Sequence, residues 1–126
     1  MRPKTIAEVA HLTLSGDSFD HCLANFLDEF YVAPGAPALA IEPPLLEPGF
    51  GDLGRVQDAY LAAAAEELAA RFSLPLPRWT DAEARKLHRP WFASPLAALR
   101  AVLLLESPPG FRSRNLFVSE NALARA

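Results

Sequence analysis

Apolar residues return every three or four positions along most of this chain, and each series stops at glycine, serine or proline. Ile6, Val9, Ala10 and either Thr13 or Leu14 share one helical face that ends at Gly16. Thr5 with Glu8 forms a capping-box signature at its start. Asp17 or Ser18 then caps a second helix, in which Phe19, Cys22, Leu23, Phe26, Leu27 and Phe30 keep the i, i+3, i+4, i+7 spacing unbroken. Asp52 opens a third, alanine-rich helix to about Phe72, with Leu53, Val56, Tyr60, Ala64, Leu68 and Phe72 along one face.

The second half is more punctuated. Thr80 with Glu83 repeats the capping-box pattern and predicts a short helix to about His88, before Pro90. Ser94-Pro95 is an N-cap followed by proline at the first helical position. The helix it starts runs through LAALRAVLLLES, to Ser107, and its Val102–Leu105 run is apolar on nearly every side, so it is expected at the centre of the core. Ser107-Pro108 either ends this helix or opens one more turn through Phe111 and Arg112. Asn115 to Val118 is a short extended or helical segment, and Ser119 caps a terminal turn.

Five of the twelve prolines crowd into residues 32–51, where neither a helix nor a central strand can run through. A connection of that length is either mobile or packed as a wrap. Leu39, Ile41, Leu45, Leu46 and Phe50 favour the wrap. The whole predicts an all-α fold of five or six helices in one domain, residues 1–126, with a long proline-rich connection.

Composition changes this picture little, and charge changes it more. An apolar fraction of 51% with 21% charged residues demands a packed core. Net charge is −3, but residues 1–67 carry eleven acids against three bases and residues 68–126 carry four against nine. The halves hold −8 and +5, so they either neutralise each other or polarise the molecule toward a charged partner. Cys22 is the only cysteine and lies within an apolar stripe, which makes it a core residue and leaves no intramolecular disulfide. No signal peptide and no membrane-length apolar run is visible, so the expected location is cytoplasmic, with no membrane partner.

Candidate chemistry is sparse. His11, His21 and His88 lack partners at metal-ligand spacing, and no phosphate loop, nucleophile elbow or dinucleotide fingerprint occurs. No metal, cofactor or catalytic residue is therefore assigned. What stands out is a set of arginines and indoles. Trp79 and Trp91 lie among Arg78, Arg85, Lys86 and Arg89, a mixture able to grip an acidic partner or to plug the core beneath a solvated rim. Trp91, beside Phe92, reads as the more core-like of the two. Arg112 and Arg114 follow a helix-ending Pro-Pro-Gly and precede Asn115 and the Leu116-Phe117-Val118 anchor. They either reach outward to a partner or pair with helix C-terminal carbonyls and the acidic first half. The partner-binding candidates are thus Arg112, Arg114, Asn115, Arg89 and Trp79.

The motifs LPLPRWT, HRPWF and LRAVLLLESPPGFRSRNLFV, with FDHCLANFLDEFY further back, resemble an uncharacterised bacterial family. It is similar to the region that follows the helix-turn-helix in antitoxin-like regulators encoded beside nucleotidyltransferase-like toxins. The resemblance implies a non-catalytic, antitoxin-like protein-interaction module whose partner is such a toxin, and it supplies no catalytic residues. No helix-turn-helix precedes Thr5 here, so duplex DNA binding is expected only in the non-specific range of about 10⁻⁴ to 10⁻⁶ M at physiological salt. A DNA-contacting transcriptional regulator working through the basic half, an accessory protein without a toxin and an enzyme of unrecognised type remain as rivals. The oligomeric state stays open.

Overall fold

The computed structural model describes residues 2–94 and 99–125. Helix α1, Ile6–Leu14, begins on the expected capping box: the Thr5 hydroxyl accepts the Glu8 amide (3.2 Å) and the Glu8 carboxylate accepts the Thr5 amide (3.1 Å). Thr13 takes the buried position and Leu14 the exposed one. Ser18 caps α2, Phe19–Val32, by accepting the His21 amide (3.3 Å), and all six residues of its apolar stripe are buried. Cys22 is among them.

The proline-rich connection is packed, but by two anchors rather than five. Leu39, in the single turn α3 (Pro37–Ala40), and Leu46 are fully buried, whereas Ile41, Leu45 and Phe50 are exposed. The chain then turns sharply into α4, Glu47–Arg71, five residues ahead of the expected Asp52 start. Gly51 makes the difference: its φ of 64° and ψ of −137° break the helix into a lead-in turn and a long shaft. Gly54 sits where a Cβ would lie 2.4 Å from the Leu46 carbonyl oxygen, so only glycine lets the lead-in fold back so closely.

From Asp58 onward α4 is enclosed. Ala59, Leu61, Ala62, Ala63, Ala64, Ala65 and Leu68 are all fully buried, so this helix, and not the one ending at Glu106, is the centre of the core. Small side chains let neighbouring elements approach from several sides at once. The expected central helix is instead peripheral: α5, Arg100–Glu106, buries Leu103 alone. Pro95 of its Ser94-Pro95 start signal falls within residues 95–98, outside the described residues.

The short helix expected over 80–88 is replaced by two 3-10 turns, Arg78–Asp81 and Glu83–Arg85. The Thr80 hydroxyl donates to the Pro77 carbonyl (2.7 Å) instead of capping a helix, and Ala82 is extended (φ −64°, ψ 143°). Strand β1, Trp91–Phe92, pairs in parallel with β2, Leu116–Phe117, placing Trp91 opposite Leu116 and Phe92 opposite Phe117. Between them Pro109–Arg112 forms α6, the extra turn that Ser107-Pro108 opens. The described residues thus carry six α-helices and one two-stranded ladder, a mostly helical fold as expected.

The two charged halves interleave. Arg85 pairs with Asp58 and Glu42, Arg114 with Glu66, and Arg125 with Asp28, so each of these ion pairs joins the basic half to the acidic one.

Candidate functional site

The five residues expected at a partner surface do not form one exposed patch, because Arg114 and Trp79 are buried. Arg114 is buried: its Nη1 donates to the Gly110 carbonyl (2.7 Å) and to Glu66 (2.9 Å), and its Nη2 donates to the Thr80 carbonyl (2.7 Å). Of the two alternatives open to this guanidinium, the fold takes the inward one, a pairing with the acidic first half, so Arg114 is not free to reach a partner. Arg112 folds back onto the end of α5, donating Nε (3.3 Å) and Nη2 (2.7 Å) to the Ser107 carbonyl. Asn115 adopts a left-handed backbone (φ 63°) and donates Nδ2 to the Leu87 carbonyl (2.8 Å), joining the 3-10 region to β2. Trp79 is the core indole, with Nε1 donating to the Leu39 carbonyl (3.0 Å), while Trp91 is only half-buried, the reverse of the expected order. Arg89 alone of the five is exposed with no hydrogen bond or ion pair among the described residues.

One polar cluster explains why the connection stays on the core. Arg85 and Asp58 are both fully buried, with Nη1 3.8 Å from the carboxylate. Asp58 accepts the Leu46 (2.7 Å) and Glu47 (3.1 Å) amides, which fastens the lead-in turn of α4 to its shaft. Arg85 donates Nη2 to the Pro43 carbonyl and to Glu42 (3.4 Å), and its guanidinium lies over the Trp79 ring at 5.0 Å. Burial pushes the Asp58 carboxyl up, against the downward pull of its two amide donors and of Arg85. The cluster is a clasp: it ties the proline-rich connection and the second 3-10 turn to the α4 shaft.

A smaller cavity of about 450 Å³ lies beside Arg114, between Glu66, Arg78 and Thr80, and a larger groove of about 760 Å³ lies elsewhere. One wall is the start of α2, with Phe19, Asp20, Leu23 and Leu27; another is the beginning of the α4 shaft, with Leu53, Val56, Gln57 and Tyr60. The i, i+3, i+4, i+7 spacing puts those four on one helical face. That face is the stripe read as core from the sequence, and it is core only from Ala64 onward. Before the alanine run it emerges into the groove, with Leu53 63% exposed. Trp91, Ala93 and Val118 close a third side, and Ser119, Ala122 and Arg125 the end. Because side chains alternate along a strand, the mini-sheet turns Trp91 and Ala93 to the groove and Phe92 to the other side, where it stacks on Phe117 (5.1 Å) and lies under Arg100 (5.2 Å).

Two acceptors in the groove are left without a donor by the fold. Gln57 Oε1 is buried and receives no hydrogen bond, and Asp20 has no ion-pair partner among the described residues. Tyr60 makes no hydrogen bond through its hydroxyl, and burial, helped by the Asp20 charge, pushes its phenol up to about 12. It is therefore a neutral hydroxyl at ordinary pH. Arg125, the cation on the walls, is held by Asp28 at 2.8 Å.

A second apolar surface is α5 with the residue before it, where Leu99, Val102, Leu104 and Leu105 are 42–83% exposed. Among the described residues no cluster of histidine, cysteine or carboxylate groups suits a metal, and no helix is long and apolar enough to cross a membrane. Comparison of the chain with family models, with curated proteins and with solved structures finds no match.

Proposed function

We propose that this chain is a protein-interaction module that works by binding a partner and not by chemistry on a substrate, and that the groove between α2 and α4 is its docking site. The observation that carries the reading is Leu53, a large apolar side chain 63% exposed in the lining of a groove whose walls also include Leu23, Leu27, Val56 and Trp91. Apolar surface gathered in a concave site is what a protein partner removes from water. The arginines singled out in the sequence support the same division of labour, since Arg112 and Arg114 are engaged within the fold.

The resemblance gives this module its specific form, an antitoxin-like neutraliser of a nucleotidyltransferase-like toxin, and that form rests on the quoted motifs alone. The test is co-expression of the chain with the product of each reading frame beside its gene. A companion that co-purifies with the native chain and is lost with Leu53→Asp, at an unchanged melting temperature, supports the groove as the site. Retention of the companion by Leu53→Asp and its loss with Leu105→Asp would move the site to α5.

A further inference from the structure

We propose that the groove selects a basic amphipathic segment, one whose apolar face enters between α2 and α4 while a lysine or arginine reaches Asp20 and Gln57. The inference rests on the protein-binding reading above and adds the chemistry of the partner. Lysine and arginine carry only donors, and the walls offer them two acceptors that the fold leaves unmet, the Asp20 carboxylate and the Gln57 Oε1.

A buried acceptor without a donor is costly, so a donor arriving with the partner removes a standing defect. The dipole of α2 accounts for an acidic residue in its first turn; it does not account for Gln57, two helical turns along a different wall. The surroundings suit the rest of such a side chain. Aliphatic stems lie along apolar walls such as Val56, and cations are drawn to aromatic faces of the kind that Tyr60 and Trp91 supply.

The charges flanking the groove agree. Asp17 and Asp52 are exposed, have no ion-pair partner among the described residues, and stand next in sequence to the wall residues Ser18 and Leu53. Arg125, the wall cation, is neutralised by Asp28. An acidic segment would meet Asp20, and among the described residues of the lining it would find no cation but the paired Arg125.

The experiment uses the full chain and two fluorescent peptides of about 16 residues, roughly four helical turns. Both carry leucines at i, i+3, i+4 and i+7; one is flanked by lysines and the other by glutamates. Anisotropy titration is expected to show the lysine peptide bound at least about tenfold more tightly than the glutamate peptide, because like charges brought together are strongly disfavoured. The gap is expected to narrow as salt rises from about 0.05 to 0.3 M. Asp20→Asn is expected to weaken the lysine peptide about two- to fivefold, the range of a solvent-exposed ion pair, and Asp20→Lys to shift preference toward the glutamate peptide at an unchanged fold by circular dichroism.

Equal binding of the two peptides, both lost with Leu53→Asp, would overturn the basic partner and leave the docking groove standing. Binding of neither would also overturn it, and co-purification of a companion that is lost with Leu53→Asp would then still uphold the groove.

Discussion

Replacing Asp58 by alanine strips the Leu46 and Glu47 amides of their acceptor and leaves the Arg85 guanidinium inside the protein without its buried anion. Breaking a buried pair from one side costs about 3–5 kcal/mol, more than the pair itself contributes, because the surviving charge has no solvent. Asp58→Ala is therefore expected to lose stability in that range in urea denaturation, and a loss below about 1 kcal/mol would mean that water reaches Arg85. Residues like these were not legible in the sequence. Thr5, Glu8, Ser18 and Cys22 were, since each acts within one turn of its own helix. The buried acid of Arg85 and the acid of Arg114 lie 27 and 48 positions away, and local pattern does not say which acid of the first half each one meets. Gln57 gave no signal at all, because an unmet acceptor is a property of what surrounds it.

Two helices exchanged roles between pattern and fold. The run from Val102 to Leu105 has the higher density of large apolar side chains, yet the alanine-rich α4 is the one enclosed. Hydropathy ranks side chains by their aversion to water; centrality also demands that several elements fit around one axis, which small residues permit. The exchange is measurable. Leu61→Ala, in α4, is expected to cost about 4 kcal/mol, Leu103→Ala about 2 kcal/mol, and Leu105→Ala, 83% exposed, less than about 0.5 kcal/mol. The reverse order for Leu61 and Leu103 would return α5 to the centre. The groove shares this origin. Leu53, Val56 and Tyr60 continue the face of Ala64 and Leu68, and periodicity marks a face as apolar without saying where its cover ends.

Taken whole, the molecule uses its charge asymmetry to close on itself, and one carboxylate marks the seam. Asp28 faces Arg125 at 2.8 Å and Arg2 at 3.4 Å, and these partners, Arg125 first, hold its carboxyl below the usual aspartate range. A lowered folded value means that its stabilising contribution is complete above the ordinary aspartate range and is lost as pH falls through the folded one. Acidification is thus expected to release residues 119–125 before the core, seen as faster amide exchange at Leu123 and Ala124 while α4 stays protected. Simultaneous loss of protection in both would show that the Tyr31 hydroxyl, which donates to the Leu123 carbonyl (2.8 Å), is the stronger tether. The sequence made the asymmetry countable, but which arginine meets which acid depends on how the halves interleave.

Because Arg2 and Arg125 meet the same aspartate, the chain enters and leaves the fold at one place. Its path is a nearly closed loop, and where that loop is cut is a matter of linkage more than of packing. A circular permutant, joined there by a short glycine-serine linker and opened at the exposed Gly16 between α1 and α2, should fold with the same clasp and the same groove.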